Sequence, residues 1–212
     1  LLGAPAVLAL ALTALVAAPS SLVPPAEAVR HLAAAGDGPA AYRRAVTAAP
    51  AAATAGERAE LLLRACALPG VEPEPAVRVD AARAALAAGR PAAAARVLTT
   101  TTPLGVAADL LHGEALVQLG DLAGARAVVS RVPDGVPADQ LAARDRVLLL
   151  AQLGTDPAAA IATSARITER HGDRPAHPGL RAALAAVRAA TRQPGWAAEL
   201  AEAAAAAAGA GG

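Results

Sequence analysis

The chain has 212 residues, enough for one domain of ordinary size or a short array of repeats, and its 19 basic and 18 acidic residues leave a formal net charge of +1. Hydrophobic residues make up 55% of it but aromatics only 1%, so the apolar material is mostly Ala, Leu and Val, and the β-branched and aromatic runs that mark strands are missing. Arginines are scattered among acids, with no basic run and almost nothing to stack on a base, which excludes a nucleic-acid interface built by this segment; the single Cys66 excludes an intramolecular disulfide. Cys66 itself, in "ELLLRACAL", reads as a small buried hydrophobe.

Alanine has the best helix propensity and lets backbones approach closely, so the composition points to an all-α chain. There is no Lys, Asn or Met, and Ala, Arg, Gly and Pro all have GC-rich codons, so part of the bias is expected to reflect the genome. Without a Met at Leu1, the expectation is a fragment of a longer protein.

Residues 1–18, "LLGAPAVLALALTALVAA", carry no charge. Three readings stay open: a buried first helix, an export signal cut near the "AEA" of Ala26–Ala28, or a membrane span. The segment 1–24 is therefore set apart as an apolar N-terminal helix, either buried or a leader. From 25 to 208 helical stretches alternate with Gly, Pro and Asp punctuation. "PAEAVRHLAAA" ends at "GDGP" and "AAYRRAVTAA" follows. In "TAGERAELLLRACAL", Thr54 and Glu57 have capping-box spacing, and Glu60 and Arg64 an i,i+4 ion pair. "PGVEPEP" breaks the helix.

After Pro75, Val79, Ala82 and Leu86 line one helical face, and Gly89 is placed to close that helix before Pro91 opens the next. "LGVAADLLHGEALVQLGD" pairs with "LAGARAVVSRV", where Leu122, Ala125, Val129 and Val132 recur at helical spacing. The densest apolar run, Val147 to Ala151, predicts burial nearly all round. Asp156 can cap a helix beginning at Pro157. Helices over "GLRAALAAVRAAT" and "GWAAELAEAAAAAA" complete the series, and residues 209–212 are expected to fray.

Gly36, Gly89, Gly120 and Gly154 each close a predicted helix, and each is followed five residues later by an alanine: Ala41, Ala94, Ala125 and Ala159. The intervals are 53, 31 and 34 residues. The last two match a helix–turn–helix unit with a period of about 34, and the first implies an irregular unit near residues 50–75. The glycine permits a tight reversal, and the alanine keeps the second helix close to the first. Gly113 adds a small residue to the first helix of one unit.

These small residues at three points of a unit resemble the tetratricopeptide repeat, over residues 75 to 170 above all. The resemblance implies a right-handed superhelix of antiparallel helix pairs, about five in number, acting as a noncatalytic scaffold for a protein or peptide. The family's large aromatic positions hold Ala, Leu or Val here. Stretches such as "ALAAGRPAAAARVL" also resemble, more loosely, the helical-repeat segments of large bacterial regulators that carry an ATPase module and a LuxR-type DNA-binding domain.

No enzyme chemistry stands out. A P-loop and lysine-based mechanisms need a lysine, and no G-x-S-x-G elbow occurs. His171, Asp173 and His177 in "HGDRPAH" are the one cluster a metal-dependent enzyme could use, though the spacing fits no common site. His31 and His112 read as helix-surface or packing residues. Trp196 reads as a cap on the last apolar layer or as a partner anchor. Neither cofactor nor metal is expected. Candidate partner-binding residues are Asp109, His112, Arg144 and Arg146 on polar sides of the central helices. The expected role is thus a cytoplasmic interaction scaffold, with an exported or membrane-tethered repeat protein using residues 1–28 as the alternative.

Overall fold

Among the described residues, alanine-rich stretches bounded by Pro, Gly and Asp form eleven α-helices and no strand. The computed structural model describes residues 23–100, 102–172, 175–192 and 195–209. The expectations for residues 1–22, Asp173 and residues 210–212 lie outside the described residues, whereas Gly209 belongs to the last helix. In chain order the helices are α1 (Pro25–Ala34), α2 (Gly38–Ala48), α3 (Ala55–Cys66), α4 (Pro75–Ala87), α5 (Pro91–Leu98) and α6 (Val106–Leu119). They continue with α7 (Leu122–Val129), α8 (Ala138–Thr155), α9 (Pro157–His171), α10 (Pro178–Ala190) and α11 (Trp196–Gly209). A 3-10 turn, Ala49–Ala51, separates α2 from α3.

The starts of these helices are written locally. Asp37, Asp121 and Asp156 each accept a hydrogen bond from the backbone N–H three residues on, at 3.0, 2.9 and 3.0 Å. Such caps contribute about 0.5–2 kcal/mol each. Thr54 accepts from Glu57 N at 3.1 Å, and the Glu57 carboxylate reaches back to Ala53 N at 3.0 Å, one residue beyond the partner of a standard capping box. Helices α1, α2, α4, α5, α9 and α10 carry a proline in their first turn, where its missing N–H costs nothing.

Three reversals share one geometry. Gly36, Gly89 and Gly120 are left-handed, with φ of 81°, 68° and 79°. The next residue's N–H returns to the carbonyl five back: Asp37 to Leu32, Arg90 to Ala85 and Asp121 to Leu116. Gly154 departs from this pattern. It lies inside α8, which runs on to Thr155, and the reversal is made by Asp156 at φ −150°. A Cβ on Gly154 would collide with the Leu122 side chain, so this glycine serves close packing between α7 and α8.

The buried alanine follows the helix start and not the glycine. Ala41, Ala94, Ala125 and Ala160 are all 0% exposed. Each donates its N–H to the carbonyl four residues back, on Asp37, Arg90, Asp121 and Asp156. Ala159, aligned by counting from Gly154, is only half-buried. One register thus unites four helices, with a small inward residue one turn after the N-cap.

Each helix packs on its chain neighbour, and α1–α3, α3–α5, α4–α6, α6–α8 and α8–α10 form the next-but-one contacts. The core follows this order. One apolar cluster spans α1 to α6, a second joins α6, α7 and α8, and a third joins α8, α9 and α10. Helix α4 touches α3, α5 and α6, so its buried set is Val77, Ala81, Ala82, Ala84 and Ala85, broader than the stripe expected from Val79, Ala82 and Leu86. In α8, Val147, Leu149 and Ala151 are buried and Leu148 and Leu150 half-buried. Trp196, the first residue of α11, is 39% exposed.

Gly113 sits where α6, α7 and α8 meet. A Cβ there would stand 2.5 Å from Val129 Cγ1 and 3.1 Å from Val147 Cγ1. Gly113→Leu should lower stability by about 1–3 kcal/mol or more through overpacking. Urea unfolding measures it, and an unchanged midpoint would show that the three helices do not meet at this point.

Candidate functional site

The polar side chains group into a sealed ion cluster, a bridge between helices and an open groove. The sealed cluster centres on Asp145, 1% exposed on α8. A buried carboxylate needs donors, and four nitrogens supply them. Arg144 Nε and Nη2 donate to Oδ1 at 3.2 and 3.1 Å. Arg170 Nη1 and His171 Nε2 lie 3.0 Å from Oδ2. Arg144 Nη1 reaches out to the Val132 carbonyl at 3.2 Å and to Asp134 at 2.8 Å. The cluster therefore ties the α7–α8 connection, α8 and the end of α9 together.

Both outer partners respond electrostatically. Hydrogen bonding to Arg144, reinforced by its charge, holds Asp134 below the usual carboxylate range. Burial pulls Arg144 down, but its bonds to Asp134 and Asp145 outweigh that and raise it.

The bridge joins α6, α8 and α10. Arg146 binds the Glu114 carboxylate with both terminal nitrogens, Nη2 at 3.1 Å, and Glu114 also accepts from Gln118 at 3.1 Å. The Arg146 stem crosses Gly179 so closely that a Cβ there would stand 2.8 Å from Cδ. Burial alone would raise Glu114; the Arg146 bond and charge overcome it and hold the carboxyl below its ordinary range.

The groove, of about 390 Å³, opens where the α5–α6 connection meets α6 and the end of α7. Leu98, Leu104, Val106 and Ala108 give it an apolar wall, and Thr102, Asp109, His112 and Arg131 a polar one. Arg131 Nη2 donates to Asp109 Oδ1 at 2.6 Å, with the two side chains 62% and 29% exposed. Burial and the nearby Arg131 lower the pKa of His112 against the pull of Asp109 and Asp121, so at neutral pH it presents an uncharged imidazole. The cleft thus sets donors, an acceptor and an apolar wall side by side.

The four residues singled out from sequence therefore do not share one surface. Asp109 and His112 line the groove, Arg144 belongs to the sealed cluster, and Arg146 is held between α6 and α10. Two residues apart on α8, Arg144 and Arg146 point about 200° apart. The proposed metal loop also divides: His171 is committed to Asp145, and His177 Nδ1 caps α10 by accepting from Leu180 N at 3.1 Å. Among the described residues no three His, Cys, Asp or Glu side chains are grouped to hold a metal ion.

Other reactive types are occupied. Ser130 Oγ donates to the Arg126 carbonyl at 2.7 Å, and Ser164 Oγ to Ile161 O at 2.7 Å. Burial, partly countered by Arg78, pushes the Cys66 thiol up to about 11, leaving it protonated at neutral pH. Sequence reading missed Asp145, Glu114, Arg131 and Arg170 as partners. A signal for Asp145 existed: Ala142, Asp145 and Leu149 are helically spaced on a buried face.

Asp145→Ala takes from Arg144, 12% exposed, one of its two carboxylate partners and leaves it Asp134, so it should destabilise the chain by about 1–3 kcal/mol; urea unfolding would show it, and an unchanged midpoint would mean the cluster contributes nothing to stability. Glu114 gives a pH test. A carboxyl lowered by folding adds stability above its unfolded-state pKa and loses it as pH falls through the folded value. Wild type should exceed Glu114→Gln in urea midpoint at pH 7, with the gap closing as pH falls below about 4.3; a constant gap would remove the ionic origin.

Compared with known protein families, characterised proteins and solved structures, the chain finds no match.

Proposed function

We propose that the chain is a tetratricopeptide-like α-solenoid of about five helix pairs working as a noncatalytic protein–protein interaction scaffold, part of a larger bacterial signalling or transcription-regulatory protein in the cytoplasm. The observation that carries this reading is the packing order: among the described residues, substantial contact joins only helices adjacent or next-but-one in the chain. Packing of that kind extends surface in one direction, and its seams offer grooves to an extended ligand. The pairs are α1/α2, α4/α5, α6/α7, α8/α9 and α10/α11, with α3 as the irregular unit. The shared register of Ala41, Ala94, Ala125 and Ala160 supports the repeat.

A protein or peptide is the partner class, with Asp109, His112 and Arg131 as recognition residues at the α5–α6 seam. Nucleic acid is not a partner of this segment, given the net charge of +1. No helix among the described residues is long and apolar enough to cross a membrane.

A random-peptide display selection against the purified chain tests this. A common peptide class should enrich, bind with micromolar affinity and lose about tenfold or more when Asp109, His112 and Arg131 are all replaced by Ala. Helicity should not change, because the Arg131–Asp109 pair is exposed enough to contribute little stability. No enrichment would sink the scaffold; undiminished binding by the variant would move the site elsewhere.

A further inference from the structure

Helix α10 starts with a cap that titrates near neutrality. Asp37, Asp121 and Asp156 accept from the backbone N–H three residues on, and His177 does the same: its Nδ1 takes the Leu180 N–H at 3.1 Å. A carboxylate keeps its acceptor well above about pH 4, whereas an imidazole nitrogen accepts only while it carries no proton. A protonated Nδ1 would point a second donor at the Leu180 N–H, at the helix end where the backbone dipole already disfavours positive charge. That N–H also reaches the His177 carbonyl at 3.2 Å, so side chain and backbone share it.

The surroundings of the ring act in the same sense. Two side chains cross Gly179, where a Cβ would stand 2.9 Å from Arg146 Nε and 3.2 Å from His177 Cε1. An imidazolium would therefore lie beside the Arg146 guanidinium. Burial and then Arg146 of α8 oppose the charged ring, while its own carbonyl, Glu114 of α6 and Asp139 of α8 favour it; the first two prevail and hold the pKa below the ordinary histidine value. What the cap holds is an interface. Leu180 is 0% exposed, and with Ala183, Leu184 and Val187 it joins α10 to Ala142 and Leu149 of α8, while α11 packs on α10.

We propose that His177 is a pH-sensitive latch: the neutral imidazole fastens the start of α10 onto α8, and protonation lets α10 open from α8 together with α11. This goes beyond the scaffold reading and does not rest on the α5–α6 groove. A histidine whose pKa is lower in the closed state adds stability above the open-state value of about 6.5 and loses it as pH falls from there through the closed-state value.

Hydrogen exchange on the full chain, read by mass spectrometry and corrected for the intrinsic pH dependence of amides, tests the latch between about pH 7.5 and about pH 5. Glu114, held below the ordinary carboxyl range, stays ionised across that interval. Amides of residues 178–190 should exchange about threefold or more faster at the lower pH, with α4 unchanged. His177→Asn keeps an oxygen that can accept the Leu180 N–H at both pH values, so it should protect α10 and abolish the pH dependence. His177→Ala, with no acceptor, should exchange at the faster rate throughout. Equal protection of α10 at both pH values in the unaltered chain would overturn the proposal. So would an acceleration that His177→Asn retains, because it would trace to another titrating group.

Discussion

Close approach of helix backbones governs this protein. Alanine and glycine recur at the contacts beside leucine and valine, and the distance they permit is the one that larger side chains in their places would forbid. Gly113 and Gly154 show this most sharply, because a single added carbon at either would meet Val129 or Leu122. Close packing gains dispersion contacts, but each alanine buries little apolar area, so burial alone specifies the arrangement weakly. Geometry must come from elsewhere as well. The Asp caps, the left-handed glycines and the Asp145 cluster supply it, each fixing where one helix ends and the next begins.

Much of that geometry was legible in the sequence, because caps and reversals are local. Asp37, Asp121 and Asp156 sit beside the helices they start, and Gly36, Gly89 and Gly120 occupy left-handed positions. Gly154 misleads because glycine has two uses: it can take positive φ, or it can let a neighbour come near. Only the fold distinguishes them. Counting from the cap and not from the glycine gives Ala160 its place beside Ala41, Ala94 and Ala125.

The polar sites were less legible, for a different reason. Asp109 and Arg131 are separated by 22 residues, and Asp145 and His171 by 26, so their pairing depends on how hairpins dock. Helical spacing does reveal that Arg144 and Arg146 face apart, and that Asp145 shares the buried side of α8 with Leu149. That carboxylate is sealed and the two central serines are bonded to their own helices, whereas Asp109, His112 and Arg131 line an open groove at the α5–α6 seam.

The first-turn prolines carry a consequence of their own. Six helices contain one, and the ring holds φ near its helical value even while the chain is unfolded. Such a residue stabilises a fold by roughly 0.4–1 kcal/mol, chiefly by leaving the denatured ensemble fewer conformations to lose. A protein whose interior is this rich in alanine thus draws part of its stability from stiffness that the polypeptide already has when denatured.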